Sequence, residues 1–204
     1  MKNEEGELAL ILDNINIKIG KGKLIGLIGK IGSGKSTLIN GLIGEVITLE
    51  EDNVEINISG SMSYVSQKSW IQNETIKNNI LFGKHYDEKR YKEAIHYSAM
   101  TTDLDIMADG DLTQIGEKGA NLSGGQKLRV QLARALYAND DIILLDDPLS
   151  PLDAHVGKFI FMETILKFMK DKTRILVTHA LYFAKHFDYI YVFDGGKIVA
   201  EGEY

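Results

Sequence analysis

Gly29-Lys30-Ile31-Gly32-Ser33-Gly34-Lys35-Ser36-Thr37 lies between an apolar run, Leu24-Ile25-Gly26-Leu27-Ile28, and helix-compatible residues from Lys35 to Ile43. The stretch has the form G-x-x-x-x-G-K-[ST] in the strand–loop–helix context that form requires. Glycines let backbone N–H groups converge on phosphate oxygens, and a helix start adds partial positive charge. Lys35 can then reach the β- and γ-oxygens of a nucleoside triphosphate, and Ser36 can ligate Mg²⁺. All nine residues from Gly29 to Thr37 are therefore candidate nucleotide contacts.

Outward from this loop the pattern is mixed. Leu8 to Leu12, a turn at Asp13-Asn14, and Ile15, Ile17 and Ile19 alternating with polar residues read as strands with one buried face. Val54 to Ile58 and Ser61 to Val65 suggest two more short strands, and Asn73 to Met107 reads as helical, with Ile76, Ile80 and Leu81 on one stripe. Ser123 to Ala138 reads as a helix, Asp141 to Leu145 as a buried strand, Asp153 to Lys170 as a helix and Arg174 to Thr178 as a second buried strand. Such alternation means a parallel sheet. Tyr189 to Phe193, a turn at Asp194-Gly195-Gly196 and Lys197 to Ala200 close the chain as a hairpin.

The expected fold class is α/β: a P-loop NTPase core with a mostly parallel sheet, an N-terminal antiparallel β subdomain and an inserted α-helical subdomain. Core and β subdomain take about 1–72 and 139–204, and the helical part about 73–138, within one domain of 204 residues. With 44% hydrophobic residues the chain can bury one substantial core. The absence of cysteine removes disulfides, thiolate metal sites and Cys nucleophiles. A formal charge of −6 argues against nucleic acid as a partner. No stretch approaches the roughly 20 apolar residues that span a bilayer.

Two further fragments carry chemistry. The apolar strand Ile142-Ile143-Leu144-Leu145 ends in Asp146-Asp147 at the carboxyl edge, where α/β sheets place ligands. There Asp146 would hold magnesium through its water shell, and Asp147 would lie nearest the water that attacks the γ-phosphate. Leu122-Ser123-Gly124-Gly125-Gln126 has the S-x-x-Q spacing of a capping box. Capping does not account for two glycines in a first turn, where they weaken a helix unless a ligand must approach the backbone.

That pentapeptide is the signature of ATP-binding cassette transporters, and the chain resembles this family over nearly its whole length. Gln67 matches the Q-loop, Ser150-Pro151-Leu152-Asp153 the D-loop, and His179 the switch histidine. Thr113-Gln114-Ile115-Gly116-Glu117 looks like the X-loop of exporters. Tyr64 to Gln72, Asn78 to Gly83 and Leu145 to Ser150 resemble the first nucleotide-binding domain of subfamily C, the multidrug-resistance-associated branch. The resemblance implies that ATP lies between one P-loop and the signature of a second cassette. Lys35, Ser36, Gln67, Asp146, Asp147 and His179 would act in the chain's own site, with Ser36, Gln67 and Asp146 around Mg²⁺. Ser123, Gly124, Gly125 and Gln126 would close over ATP held by the partner. It also implies membrane-spanning domains of the same transporter as partners, and a place on the cytoplasmic face of a membrane. A regulatory cassette of a channel, using ATP as dimer glue, suits the same residues; a soluble cassette ATPase is disfavoured by acidic charge and the X-loop.

Three departures follow from the same comparison. Asp147 stands where hydrolytically competent cassettes carry glutamate, so slow turnover is expected. No aromatic residue precedes Tyr64, so the usual adenine-stacking platform lacks a candidate, and the chain reads as a piece of a longer protein, truncated at both ends. Trp70, the single tryptophan, reads as core packing, whereas Phe82 and its neighbours would, by resemblance, dock membrane-spanning domains.

Overall fold

Runs that are apolar at every position need a sheet covered on both faces. A computed structural model, which describes residues 11–46 and 54–204, has such a sheet. Its strands are β1 (Leu24–Gly29), β2 (Met62–Val65), β3 (Ile142–Asp146), β4 (Thr173–Val177), β5 (Tyr189–Asp194) and β6 (Lys197–Gly202). They lie in the order β2-β3-β4-β1-β5-β6. Pairings are parallel from β2 across to β5; β6 joins β5 as the antiparallel arm of a hairpin.

Alternation within each strand divides the core. Leu24, Ile143, Leu145 and Leu176 face one cluster, which packs beneath the helices that follow β2 and β3. Ile25, Leu27, Leu144, Ile175 and Val177 face the other, with Ile39 of α1 (Lys35–Leu42), Tyr191 and Phe193. Each such side chain contributes about 1.5–3 kcal/mol on burial. β1 is therefore central by sequence, and whatever follows it emerges at mid-sheet.

The expected helical insertion is three helices, not one run: α2 (Ile76–Leu81), α3 (Glu88–Tyr97) and α4 (Thr101–Ile106). Local chemistry sets the breaks. Thr75 and Asp87 cap α2 and α3 by accepting from Asn78 N and Arg90 N, and Phe82 and Ala99 adopt positive φ between the helices. All three lie before α5 (Gly124–Ala138), whose Leu128, Leu132, Ala135 and Leu136 are buried. α6 (Ala154–Phe159), capped by Asp153, passes into a π-helical stretch, Ile160–Phe168, in which Met169 N donates to Thr164 O.

Two expected strands are corrected. Among the described residues, neither Ile15 to Ile19 nor Val54 to Ile58 pairs in a ladder. Ile15, Ile17 and Ile19 nevertheless pack as half-buried residues against the second cluster, so their alternation reports the buried face without strand pairing. Val54, Ile56 and Ile58 are all exposed. A strand needs a hydrogen-bonding neighbour, and the expected one, Leu8 to Leu12, falls mostly outside the described residues.

Candidate nucleotide-binding site

The parallel strands β1, β2, β3 and β4 deliver their following loops to one sheet edge, the edge where doubly wound sheets place ligands. Gly29-to-Gly34, Gln67, Asp146-Asp147 and Thr178-His179 are those loops. Gly29 has φ +154°, and a Cβ there would stand 2.2 Å from Phe193 O, so no other residue fits without moving the sheet. Gly34, at φ +102°, starts α1 without a side-chain cap, leaving the first-turn amides open to an anion.

Lys35 is folded back into this loop and only 5% exposed. Its Nζ donates to Gly29 O at 2.8 Å, Lys30 O at 2.7 Å and Ser33 Oγ at 3.2 Å. Burial lowers the pKa of this ammonium, and the Asp146 and Asp147 carboxylates oppose that shift. The loop is thus preformed around its own cation.

Across from it, Ser36 Oγ donates to Asp146 Oδ1 at 3.1 Å, bringing a hydroxyl and a carboxylate together as the hard oxygen pair that suits Mg²⁺. Tyr64 adds a third group: burial, reinforced by the nearby Asp146 carboxylate, pushes its pKa up to about 12. Burial raises the Asp146 pKa and the neighbouring Asp147 adds to it, while Ser36, Lys35 and Tyr64 pull the other way. A carboxyl whose folded pKa is raised stabilises the fold at low pH, and that contribution is lost as pH rises through the folded value. Asp146→Asn is accordingly expected to raise the melting temperature of the nucleotide-free chain near pH 7 by roughly 2–4 °C, the effect of about 1 kcal/mol in a domain this size. The gain should shrink as pH falls through the raised folded value, and melting curves at pH 4 and 7 check it.

Asp147 is buried and holds φ +49°, a left-handed conformation that Asp tolerates better than most residues. Its N–H donates to Val177 O at 3.0 Å, which clamps the end of β3 against β4. Gln67 and His179 are both exposed at the same edge, His179 two residues beyond β4.

The signature starts α5, and its side-chain hydrogen bonds among the described residues run within α5 and to α4, not to these loops. Ser123 is exposed; its Oγ accepts from Gln126 N at 3.1 Å, and its N donates to Gln126 Oε1 at 2.9 Å, so the capping box is formed. Gln126 Nε2 also donates to Asp103 Oδ1 at 2.8 Å, and Asp103 pairs with Arg129 at 2.7 Å in a mostly buried ion pair. Gly124 faces open space, as close ligand approach requires. Gly125 has a different reason: a Cβ there would lie 3.2 Å from Pro151 O, so its small size admits the D-loop.

Comparison with known proteins gives the family. Residues 12–150 match the family model described as ABC transporter. The chain belongs to the ABC transporter family. It is 51% identical over 193 residues to human ATP-binding cassette sub-family C member 2 and 48% identical over 200 residues to the mouse protein, covering 94% and 97% of this chain. ABC transporter C family member 8 of Dictyostelium discoideum is 46% identical over 197 residues, 95% of this chain. The chain spans only 12–13% of the length of these relatives. Domains of this family bind ATP, and the likeness to subfamily C holds over nearly the whole chain.

Two features of this ABC domain differ from expectation or escaped it. Trp70 is not core: it is 54% exposed, and Phe82 47%. Their rings meet edge to face, centroids 5.9 Å apart, with the Arg134 guanidinium of α5 at 5.3 Å from the Trp70 ring centre and 4.8 Å from that of Phe82. Asn79 and Asn121 are structural hubs. Asn79, fully buried on the apolar stripe of α2, bonds the backbone of Gln72, Glu74 and Thr75. Asn121 donates to Gln114 O and accepts from Gly116 N, tying the X-loop to the signature. An amide inside an apolar helical stripe was the available signal for Asn79.

Proposed function

We propose that this chain is the ATP-binding cassette of a membrane exporter, which binds Mg·ATP and meets a second cassette head to tail. The observation that carries the reading is the separation of two half-sites. One edge gathers Gly29 to Thr37, Gln67, Asp146, Asp147 and His179, whereas Ser123 and Gly124 lie exposed at the head of α5 with no role in that edge. A nucleotide on the first therefore leaves the second free for another cassette's ATP. In the chain's own site Lys35 and the loop amides hold the phosphates, and Ser36, Asp146 and Gln67 accommodate Mg²⁺, which when bound neutralises phosphate charge. Asp147 orients the water and His179 reaches the γ-phosphate, with slow turnover because Asp147 is one methylene short. Lys30, Ile31, Gly32 and Ser33 complete the cradle, and Gly125 and Gln126 support Ser123. Residues 73–138 act as the helical subdomain that meets membrane-spanning domains at a cytoplasmic membrane face.

The test is made in the complete polypeptide. Ser123→Arg should leave ATP affinity at this chain's own loop within about twofold and reduce turnover at the partner's site by about 100-fold or more, as loss of a transition-state contact does. Unaltered turnover would refute the head-to-tail reading.

Phe82→Ala checks the membrane-domain contact. A fully buried phenylalanine costs about 3–5 kcal/mol when truncated. Phe82, half exposed, should cost this chain about 1 kcal/mol or less in denaturant unfolding, yet reduce assembly of the complete polypeptide in a pull-down between its halves. A loss above about 3 kcal/mol would show a core role instead.

A further inference from the structure

Asp103 lies in the first turn of α4 and is only 8% exposed. Three nitrogen donors of α5 converge on its carboxylate. Gln126 Nε2 donates to Oδ1 at 2.8 Å, Arg129 Nη2 donates to the same oxygen at 3.1 Å, and Arg129 Nη1 reaches Oδ2 at 2.7 Å. Arg129 also donates from Nη1 to Ala99 O at 2.8 Å and from Nε to Gly125 O at 3.3 Å. One guanidinium thus ties together α4, the left-handed turn at Ala99 (φ +58°) and the signature backbone. Burying an ion pair stabilises a fold little, because desolvation offsets the attraction, and a left-handed alanine adds a cost. What the arrangement does fix is one orientation of the Gln126 side chain.

The Gln126 amide has two ends that must be sorted. Oε1 accepts from Ser123 N at 2.9 Å, while Nε2 faces the Asp103 carboxylate. Turned over, the amide would set donor against donor at Ser123 N and acceptor against acceptor at Asp103. A negative charge at position 103 therefore holds the amide one way round, and that way completes the capping box. Within the box, Ser123 Oγ accepts from Gln126 N at 3.1 Å. Its acceptor side is engaged inward, so the hydroxyl proton is left to be donated outward. Ser123 is exposed there, and Gly124 beside it faces open space.

We infer that Asp103 is a positioning residue for the signature: acting through Gln126, it holds the Ser123 hydroxyl as an outward donor toward the nucleotide of the partner cassette. The inference rests on the head-to-tail reading above and adds to it a residue that lies outside every motif.

A double-mutant cycle of Asp103→Asn and Ser123→Ala in the complete polypeptide tests it. Asparagine keeps the shape of the side chain but can offer Nδ2 to a turned amide, so the sorting is lost. Asp103→Asn is expected to lower kcat at the partner's site about tenfold, as loss of roughly one hydrogen bond in the transition state does. KM for ATP, and ATP binding at this chain's own loop, should stay within about twofold. In the Ser123→Ala background the same change should lower kcat by less than about twofold, because the group it positions is gone. Unchanged kcat in Asp103→Asn overturns the inference alone. So does an equal loss in both backgrounds, the additive pattern of a general weakening of the fold. Asp103→Glu keeps the charge for Arg129 and moves the carboxylate by one methylene. Should the asparagine variant not fold, the glutamate variant takes its place in the cycle with the same non-additivity expected, and the same two results overturn the inference. If Ser123→Ala itself leaves turnover unaltered, the head-to-tail reading falls and this inference with it.

Discussion

Lys35→Met is expected to weaken ATP binding to this chain by at least about 100-fold while leaving it folded. The ammonium has three acceptors in the nucleotide-free loop, the carbonyls of Gly29 and Lys30 and the Ser33 hydroxyl. Those contacts fix the side chain beside the turn of α1, so its charge is already aimed into the cradle. Each charge-assisted hydrogen bond to phosphate is worth about 1.5–3 kcal/mol net, and two of them correspond to roughly 10²–10⁴ in affinity. The cost to the fold is smaller because two terms oppose. Methionine leaves two carbonyl oxygens with one donor fewer, yet it also removes a cation whose charged form burial disfavours. Isothermal titration with Mg·ATP, paired with melting curves, separates the two effects. Binding within about threefold of the unmodified chain would mean that the loop is not the phosphate cradle.

The same residues show why the core was legible in the sequence. An unbroken apolar run such as Leu24 to Ile28 or Ile142 to Leu145 fits a strand covered on both faces, and each leads into residues that only a ligand edge needs. The expected positions of β1, α1, β2, β3, β4, α5 and the hairpin agree with the structure to within one or two residues. Short helices are less legible because their limits are set by caps: Thr75 and Asp87 divide what periodicity reads as continuous. Side-chain placement is least legible. Trp70 by composition belongs inside, yet it is half exposed, with its neighbours Phe82 and Arg134 brought to it from 12 and 64 residues away in sequence. The strand pattern at Ile15 to Ile19 likewise predicts the buried face but cannot supply a pairing neighbour. Gly125 marks the limit of motif reasoning, since its missing side chain is explained by Pro151 as well as by a ligand.

Asp147→Glu is expected to raise the single-turnover rate of ATP hydrolysis at this chain's own site by about 10- to 100-fold, measured in the assembled pair of cassettes. Aspartate is shorter than glutamate by one methylene, roughly a 1.5 Å bond, and misplacement of about 1 Å can cost about 10²-fold in rate. The clamp from Asp147 N to Val177 O leaves the backbone little freedom to move the short carboxylate forward. Only a longer side chain can close the gap. The backbone also sets a cost: φ is +49° at this position, where Asp is favoured over Glu, so the variant should unfold about 1 kcal/mol more easily. Faster hydrolysis with a slightly weaker fold is thus the joint signature of a site whose residue suits its strained turn better than it suits the attacking water. A rate that stays level or falls in the variant would place the fault elsewhere, with Gln67 or His179 at the same edge as the next residues to test.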